Sequence, residues 1–308
     1  MNSILSIVIP TFNRAPSLDE SLRRHLSIVS RYNISIYISD NASTDGTRSV
    51  VEQHQQKYSN LFYHVNTENM GPDCNFEIGL LLPESQFVWL LGDTSSFDEH
   101  AVHQIAQRLH TDPELDLLVI NDAGRVHDVP TTTFTDINTL LQALGWHMTQ
   151  VSSLIYSRKL IHQAHFERYR NTSFIQTGIV FEYLAYLDRC SIGWLQDVDV
   201  VGFKVDGFKK VGWFRETFDI WLHRWPNIVM SLPTAYTLES KQIAIRLHNA
   251  RARVFSISKI MRLRAHGVLT VRVALQYLPV AQQSISTLTI IMMLFLSIIP
   301  RWVFKFKK

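Results

Sequence analysis

The hydrophobic and polar positions of the first 120 residues alternate between strand-like and helix-like patterns. Short apolar runs of this kind are typical of buried parallel strands. The runs predicted as strands are Ile4–Ile9, Ile34–Ile38, Leu61–Val65, Phe87–Leu91 and Leu115–Ile120. The amphipathic stretches predicted as helices are Leu18–Val29, Thr47–Tyr58, Asn75–Leu82 and Ala101–Leu109. This alternation predicts an α/β fold, in which helices cover both faces of a doubly wound, mostly parallel sheet.

The pattern changes in the rest of the chain. Residues 126–170 are less regular, Thr177–Leu187 returns to a helical period, and long basic side chains stand among apolar ones between Lys241 and Arg272. From these changes we predict a first domain over residues 1–205, a connecting aromatic-rich segment over 206–240, and basic amphipathic helices with an apolar tail over 241–308.

The charges divide the chain unevenly. Residues 1–239 carry 27 acidic and 18 basic side chains, whereas residues 240–308 carry 12 basic side chains and no acidic one. A strongly cationic region indicates an anionic partner, which would be nucleic acid or an anionic lipid surface.

The last apolar run favours the lipid surface. Val273–Pro300 contains no charged residue, its densest part is Leu288–Pro300, and Trp302 and several lysines follow. This arrangement is typical of a chain that meets a bilayer interface. The dense part is shorter than the roughly 20 residues that a spanning helix needs, so we expect a monotopic or re-entrant segment. A buried core helix would also explain the apolar run, but it would not explain the absence of acidic residues around it. Because the apolar run favours lipid, no nucleic-acid partner is expected.

Polar side chains follow three of the predicted strands. Thr11–Arg14, Asp40–Asn41 and Asp93 come directly after apolar runs. Ligands of open α/β sheets bind beyond the carboxyl ends of the strands, so these side chains predict a site. The sequence has neither a GxGxxG after its first strand nor a GxxxxGK[ST], which weakens a dinucleotide or P-loop interpretation.

Four segments carry a family resemblance. LSIVIPTFNR (Leu5–Arg14), ISDNASTDGT (Ile38–Thr47), NMGPDCN (Asn69–Asn75) and VWLLGD (Val88–Asp93) follow one another in order. Together they resemble the nucleotide-sugar domain of the inverting glycosyltransferase family 2, which has the GT-A fold. The similarity is strongest to the bacterial group that builds O-antigen and capsule repeat units, including abequosyltransferase-like enzymes, and it covers roughly residues 4–200.

The resemblance implies a set of nucleotide-sugar-binding residues and a metal site. The positions that match the family's motifs are Pro10, Thr11, Asn13, Arg14, Asp40, Asn41, Asp45, Asn69, Gly71, Asn75 and Asp93. Asp93 matches the first acid of the metal-binding DxD element, which implies Mg²⁺ or Mn²⁺ on the donor diphosphate. Ser95 stands at the position of the second acid, so Asp98 is considered as a substitute metal ligand. The alternative for Asp93 is that it only caps the helix that follows.

The resemblance also implies a general base. Inversion needs a carboxylate that takes the proton of the acceptor hydroxyl. Thr177–Cys190 resembles the family's segment for this acid, with Glu182 retained and Tyr183 in place of a second acid. Glu182 is the predicted base, and Asp188 is a weaker alternative. The non-catalytic alternative is that Glu182 is only a carboxylate on an exposed helix face.

These features predict a glycosyltransferase. It would move one sugar from a UDP-linked nucleotide sugar to a polyprenyl-diphosphate-linked saccharide in the synthesis of a surface polysaccharide. It would work at the cytoplasmic face of the inner membrane, as a peripheral or monotopic protein on an anionic surface. The alternative is a non-catalytic nucleotide-sugar-binding or scaffold protein of the same fold.

Overall fold

The protein forms two compact units in a computed structural model that describes residues 4–205 and 212–304. Of the described residues, 4–137 and 147–205 belong to the first unit, and 138–146 and 212–304 belong to the second.

The first unit is built on a mixed sheet with the strand order β3-β2-β1-β4-β8-β6-β9-β5, and β7 pairs with β9. The strands are β1 (Leu5–Thr11), β2 (Ser35–Asp40), β3 (Leu61–Val65), β4 (Phe87–Leu90), β5 (Ser95–Ser96), β6 (Leu117–Asp122), β7 (Thr132–Phe134), β8 (Leu154–Ser157) and β9 (Ile192–Gly202). The α/β prediction is therefore confirmed, with an antiparallel part that the alternating pattern did not show.

Helices connect these strands. They are α1 (Ala15–Arg31), α2 (Thr47–Gln55), α3 (Gly71–Leu81), α4 (Glu99–Thr111), α6 (Arg158–Gln163) and α7 (Ile175–Ala185), whereas α5 (Ile137–Leu144) lies almost wholly in the second unit. Short 3₁₀ turns cover Val151–Ser153 and Phe166–Tyr169. The buried strands and the apolar faces of α1, α2 and α4 form one hydrophobic core.

One edge of the sheet collects the ends of several strands. β1 runs parallel to β2 and β4, and β6 has the direction of β4 because both are antiparallel to β8. The carboxyl ends of β1, β2, β4 and β6 therefore lie at the same edge, which we call the carboxyl edge.

The pairing of β6 with β9 shifts its register at this edge. Ile120 pairs with Leu195, but Asn121 pairs with Asp199, so three residues of β9 lie outside the regular register. The side-chain amide of Asn121 donates to the carbonyls of Val126 (2.8 Å) and Gln196 (2.9 Å). The shift brings Asp199 beside the end of β6.

Helix α3 lies very close to the sheet, because Gly79 has no side chain. A Cβ atom at this position would stand 2.7 Å from Cγ1 of Val8 and 3.3 Å from Cβ of Ser39. Both neighbours are fully buried strand residues, so there is no room for a larger residue.

The second unit is helical in its described part. Besides α5 it contains α8 (Thr217–Asp219), a π-helical turn (Ile220–Arg224), α9 (Trp225–Ser231), α10 (Leu238–Ala252), α11 (Ile257–Ala265), α12 (Val271–Ser284) and α13 (Thr287–Ile298), with 3₁₀ turns at Gly212–Phe214 and Arg301–Phe304. Phe218 and Leu222 share one core with residues of α11, α12 and α13.

This core includes residues of the predicted connecting segment, because Phe218 and Leu222 pack in the same core as Ile260 and Met293. The predicted domain ranges stay a prediction. Residues 138–146, which the prediction placed in the first domain, belong to the second unit, where the Asn138 carbonyl oxygen Oδ1 accepts from the backbone of Thr237 (2.8 Å).

Helix α13 has two apolar faces. Ile290, Met293 and Leu296 are buried in the core, which agrees with the core-helix alternative for Leu288–Pro300. The opposite face exposes Leu288, Ile291, Phe295 and Ile298, which are 55–70% accessible. Across residues 4–205 and 212–304, no helix combines the length and hydropathy that crossing a bilayer requires.

Candidate functional site

An ion pair between Arg14 and Asp93 lies at the carboxyl edge. Arg14 follows β1 and Asp93 follows β4, and Nη1 of Arg14 is 2.5 Å from Oδ1 of Asp93. The hydroxyl of Thr11 donates to Oδ2 of the same carboxylate at 3.3 Å. Burial raises the pKa of Asp93, and the guanidinium of Arg14 and the Thr11 hydroxyl oppose that shift. The pair joins two strand ends that are 79 residues apart in sequence.

The side chains around Asp93 offer few ligands for a metal ion. The hydroxyl of Ser95, at the second DxD position, is hydrogen-bonded to that of Ser152 (2.7 Å). Asp98 caps α4 by accepting from the backbone of Ala101 (2.8 Å). The cap of this helix is therefore Asp98 and not Asp93, while the role of Asp98 as a substitute ligand stays a prediction. Within the described residues no group of three or more His, Cys, Asp or Glu side chains could hold a metal ion.

Loops after β1 and β2 are fastened to each other. Asn13 has a positive φ of 53°, a conformation that asparagine tolerates. Its backbone donates to the Ser43 hydroxyl (2.8 Å), and its Oδ1 accepts from the backbone of Thr44 (2.7 Å). These bonds fix the exposed Asn13 beside the loop that follows β2.

Asp45 holds the first turns of two helices. Its carboxylate accepts from the backbone N–H of Ala15 in α1 (3.0 Å) and of Thr47 in α2 (3.0 Å). Partial burial raises the pKa of Asp45, but these hydrogen bonds outweigh it and lower the pKa below its usual value. We infer a positioning role for Asp45 in this loop.

Asp40, at the end of β2, is only 1% exposed. Its Oδ1 accepts from the backbone of Ser43 (2.9 Å), and its Oδ2 accepts from the Tyr63 hydroxyl (2.6 Å). Burial and the neighbouring Asp40 raise the pKa of Tyr63 well above its ordinary value. Both oxygens of Asp40 thus have protein partners, and the sequence did not indicate the contact with Tyr63.

A network of side-chain amides lies next to Asp40, and three of them, Asn41, Asn66 and Asn75, are buried. Asn41 donates to Oδ1 of Asn69 (2.8 Å) and to the backbone oxygen of Gly71 (3.2 Å). Asn66 donates to Oδ1 of Asn41 (3.0 Å) and of Asn75 (3.1 Å). Gly71 adopts a φ of 79°, which glycine accepts without strain. Asn66 was not predicted, because it lies in none of the matched segments.

Ser39 continues this network into the sheet. Its hydroxyl donates to Oδ1 of Asn75 at 2.8 Å, and Nδ2 of Asn75 donates to the Ser39 carbonyl at 2.9 Å. Pro10 pairs with Ser39 and lies beyond Val8, the last β1 residue paired with β4. All eleven predicted donor-site residues thus lie in one part of the carboxyl edge, and their contact with a nucleotide sugar stays a prediction.

A second group of charged residues lies at the end of β6 on the same edge. Oδ2 of Asp122 is 3.6 Å from Nη1 of Arg125. When the Gln150 amide is oriented to satisfy both neighbours, it donates to Asp122 (3.2 Å) and accepts from Arg125 (2.9 Å). Burial raises the pKa of Asp122, Arg125 lowers it, and Asp199 raises it further, so the net shift is upward.

Hydrogen bonds connect this second group with the Asp93 loop. The backbone of Gly92 donates to the Ser152 hydroxyl at 3.0 Å, and Ser152 is two residues from Gln150. β5, which begins at Ser95, pairs with the end of β9, which also carries Asp199. Asp122 lies in no motif and was not predicted, although it follows the predicted strand Leu115–Ile120 as Asp40 and Asp93 follow theirs.

Glu182 does not lie at the carboxyl edge. Its carboxylate forms a short ion pair with Arg168 and lies 3.7 Å from Nδ1 of His165. The next residue, Tyr183, donates to Oδ1 of Asp116 (2.9 Å), which precedes β6 at the opposite edge of the sheet.

The position of Glu182 argues against the general-base role, which stays a prediction. Helix α7 begins near the carboxyl edge, where Thr177 donates to the carbonyl of Met148 (2.9 Å), and runs away from it. A residue five positions further lies about 7.5 Å along the helix axis. Glu182 is also not an exposed helix-face carboxylate, because it is only 4% exposed. Its surroundings indicate a structural ion pair.

Comparisons with known proteins match the part of the chain that carries the carboxyl edge. Residues 6–173 match the model of a family described as Glycosyl transferase family 2. The abequosyltransferase RfbV of Salmonella typhimurium is 36% identical over 106 residues, 33% of this chain and 32% of that protein. The GalNAc(5)-diNAcBac-PP-undecaprenol beta-1,3-glucosyltransferase of Campylobacter jejuni is 31% identical over 107 residues, 34% of each chain. The matched part spans about a third of each of these relatives.

A solved structure shares the fold over almost the whole chain. Residues 1–349 of TarS from S. aureus, in complex with UDP-GlcNAc, superpose with a TM-score of 0.60. The superposition covers 96% of this chain and 90% of that one at 14% sequence identity. The likeness shows the predicted GT-A fold.

Proposed function

The chain belongs to glycosyl transferase family 2, and on that premise we propose that it transfers one sugar, with inversion, from a UDP-linked donor to a polyprenyl-diphosphate-linked saccharide. The observation that carries the proposal is the Arg14–Asp93 ion pair at the carboxyl edge, inside the range matched by the family. A guanidinium suits the diphosphate of a nucleotide sugar. The UDP-GlcNAc named with S. aureus TarS supports the choice of a UDP donor.

Asp93 would hold a divalent cation together with the donor's own phosphate oxygens. Mg²⁺ is commonly held by one or two carboxylates plus phosphates and keeps several waters, so one carboxylate fits a weakly held ion. Bound Mg²⁺ or Mn²⁺ would neutralise the diphosphate leaving group. Arg14 would share that task, because its guanidinium already faces the Asp93 carboxylate.

Asp122 is the acid that we propose as the general base. The acceptor hydroxyl oxygen would attack the anomeric carbon, the bond from that carbon to the diphosphate oxygen would break, and the hydroxyl proton would pass to Asp122. A raised pKa suits this task, because a base works best when its pKa approaches the operating pH. Asp122 lies at the same edge as Asp93, and its carboxylate is 19% exposed.

The acceptor and the place of action follow the relatives' names and the charge of the chain. One relative is named for an undecaprenol-linked substrate and another for abequosyl transfer. Both names support a lipid-linked saccharide in O-antigen or capsule synthesis. Such an acceptor lies in the bilayer, so we place the protein at the cytoplasmic face of the inner membrane, as a peripheral or monotopic protein.

The exposed face of α13 is the surface that we propose for an anionic bilayer. Leu288, Ile291, Phe295 and Ile298 recur at helical spacing and form one apolar row, which we call the α13 row. Trp302, just beyond the helix, is 70% exposed. Residues 240–308 have 12 basic side chains and no acidic one, which complements anionic lipid. Lys305, Lys307 and Lys308 of this segment lie outside the described residues.

Replacing the four residues of the α13 row by serine should make vesicle binding sensitive to salt. Electrostatic attraction is screened at high ionic strength, but burial of apolar side chains is not. Wild-type protein should stay on vesicles containing phosphatidylglycerol at about 1 M salt, where the Debye length is about 3 Å, and the variant should dissociate. Flotation at increasing salt measures this difference.

Two other exposed apolar residues of the second unit provide the control. Met230 and Leu238 are 44% and 57% exposed and lie outside the α13 row. Their double replacement by serine should leave vesicle binding at high salt unchanged. Equal salt sensitivity of both variants, or a wild-type protein that does not bind vesicles, would exclude the α13 row as the membrane surface.

A donor panel tests the proposed transfer. Donor binding should raise the melting temperature by mass action, and UDP-sugars should do so more than GDP-, CDP- or dTDP-sugars. The wild-type protein should hydrolyse the correct donor slowly, and faster transfer should appear with a polyprenyl-diphosphate saccharide. Stabilisation without hydrolysis or transfer would indicate that the chain only binds nucleotide sugars.

A further inference from the structure

A cavity of about 630 Å³ lies in the second unit, apart from the residues assigned to the carboxyl edge. It is lined by the carboxyl-terminal parts of α10 and α12, by the residues just before α11, and by the first turn of α13. The lining residues that matter here are Arg246, Asn249, Arg253, Ser256, Ser284 and Ser286. The proposed transfer assigns no role to this cavity.

The charged groups of this cavity are all cationic. Arg246 and Arg253 line it, and no acidic residue is among its lining residues. Within the described part of the chain neither arginine forms an ion pair. Glu216 and Asp219 of the same unit are already paired with Arg224. The two guanidinium groups therefore attract an anion into the cavity.

Two buried polar side chains of the lining have no hydrogen-bond partner among the described residues. Asn249 is 8% exposed, and both its Oδ1 and its Nδ2 are unpaired. Ser284 is 2% exposed, and its Oγ is unpaired. Buried polar groups are seldom left without partners, so two such groups at one cavity point to a polar ligand there.

Two helix beginnings lie at the same cavity. Ser256 precedes α11, and its side chain does not cap the helix. Ser286 precedes α13 and accepts from the backbone of Thr289 (3.3 Å). Helix N-termini favour phosphate and similar anions because their N–H groups and dipole point outward.

We infer that this cavity binds a phosphate or diphosphate group. Arg246 and Arg253 would pair with the phosphate oxygens, while Asn249 and Ser284 would donate to them. Leu288, the first residue of the α13 row, lies between Thr287 and Thr289, which line the cavity. The phosphate could therefore belong to a lipid or be free in solution, and both have the same chemistry at the cavity.

Binding of inorganic pyrophosphate to the full-length protein tests the inference. UDP is kept at saturation, so that pyrophosphate does not report the Asp93 region. The double variant Arg246→Gln/Arg253→Gln should bind pyrophosphate at least tenfold more weakly than wild type in calorimetry. Arg262→Gln/Arg272→Gln, which removes the same charge outside the lining, should bind it as wild type does. Equal affinity of wild type and both double variants overturns the inference.

A second variant separates a ligand-binding role from general electrostatics. Asn249→Leu removes the unpaired amide without changing charge. We expect it to weaken pyrophosphate binding severalfold while the protein remains as stable as wild type or becomes more so, because no unpaired amide stays buried. Unchanged affinity in this variant would mean that the amide faces only water and would contradict the proposed contacts.

Vesicles distinguish the two sources of phosphate. At high salt, the arginine double variant is compared on vesicles containing phosphatidic acid and on vesicles containing phosphatidylglycerol at equal charge. If the double variant loses binding only to the vesicles containing phosphatidic acid, which carries a terminal phosphate, the ligand is a lipid. Weaker pyrophosphate binding with unchanged binding to both vesicles supports a free phosphate. The cavity inference is independent of transfer, since pyrophosphate binding should persist in an Asp93→Asn variant that has lost activity.

Discussion

Replacing Asp93 by asparagine should reduce sugar transfer by about a thousandfold, the scale on which removal of one electrostatic group acts. Asparagine keeps the shape of the side chain but removes the charge that orients Arg14 and would hold the cation. The fold should persist, because burial already disfavours the charged form of Asp93 and raises its pKa. Turnover of the donor and acceptor pair, with circular dichroism as a check of folding, measures the effect.

Asp98 gives a matched control five residues away. It caps α4, and serine is also a good N-cap. Asp98→Ser should therefore leave both transfer and melting temperature close to wild type. If Asp93→Asn turned over near the wild-type rate, or if Asp98→Ser lost as much activity, the assignment of the diphosphate site to Asp93 would be wrong.

Replacing Asp122 by asparagine should reduce turnover by about 10² to 10⁴, the usual contribution of a positioned base. Donor binding should persist, because the base acts on the acceptor hydroxyl. The acid limb of the wild-type pH–rate profile should lie above the ordinary aspartate pKa, since the net shift of the Asp122 pKa is upward. A pH–rate profile of the variant should lack this limb.

Glu182→Gln is the matched comparison for that variant. Glu182 is ion-paired with Arg168 and lies towards the opposite edge of the sheet, so its loss should lower the melting temperature and leave turnover within a few fold of wild type. The opposite outcome, a severe loss in Glu182→Gln with an active Asp122→Asn, would restore Glu182 as the general base and remove Asp122 from the mechanism.

The parallel half of the fold was predictable because its strands are short, mostly apolar runs. β3 was predicted with its observed bounds, Leu61–Val65, and β1 and β4 within two residues at either end. Buried parallel strands appear as continuous apolar runs, which a sequence shows directly. β5, β7 and β8 have only two to four residues each, too few to establish a period.

The site residues that follow strands could be predicted from the sequence, whereas the direction of a site residue on a helix could not. Arg14, Asp40 and Asp93 follow apolar runs, and the strand order alone brings them to one edge. The direction of the Glu182 side chain could not be predicted, for a physical reason. Residues 175–184 of α7 are all buried, so the helix has no polar face from which the direction of Glu182 could be judged.

The second unit shows the same limit. An apolar helix without charges is compatible with a core and with a membrane, and α13 has a face for each environment. The sequence pattern of α13 is apolar all round, so it could not separate the two faces. Only the packing of Ile290, Met293 and Leu296 against Phe218 and Ile260 distinguishes them.

Gly79 has a consequence for genetic studies of this protein. It lies one helical turn after Asn75, and any side chain at this position would push α3 away from Val8 and Ser39. The displaced helix would carry Asn75 out of its amide network, so mutation of a residue without a functional group would inactivate the donor loops. A screen for loss-of-function alleles would then recover position 79 beside Asp93, and its alleles would be temperature-sensitive where those of Asp93 would not.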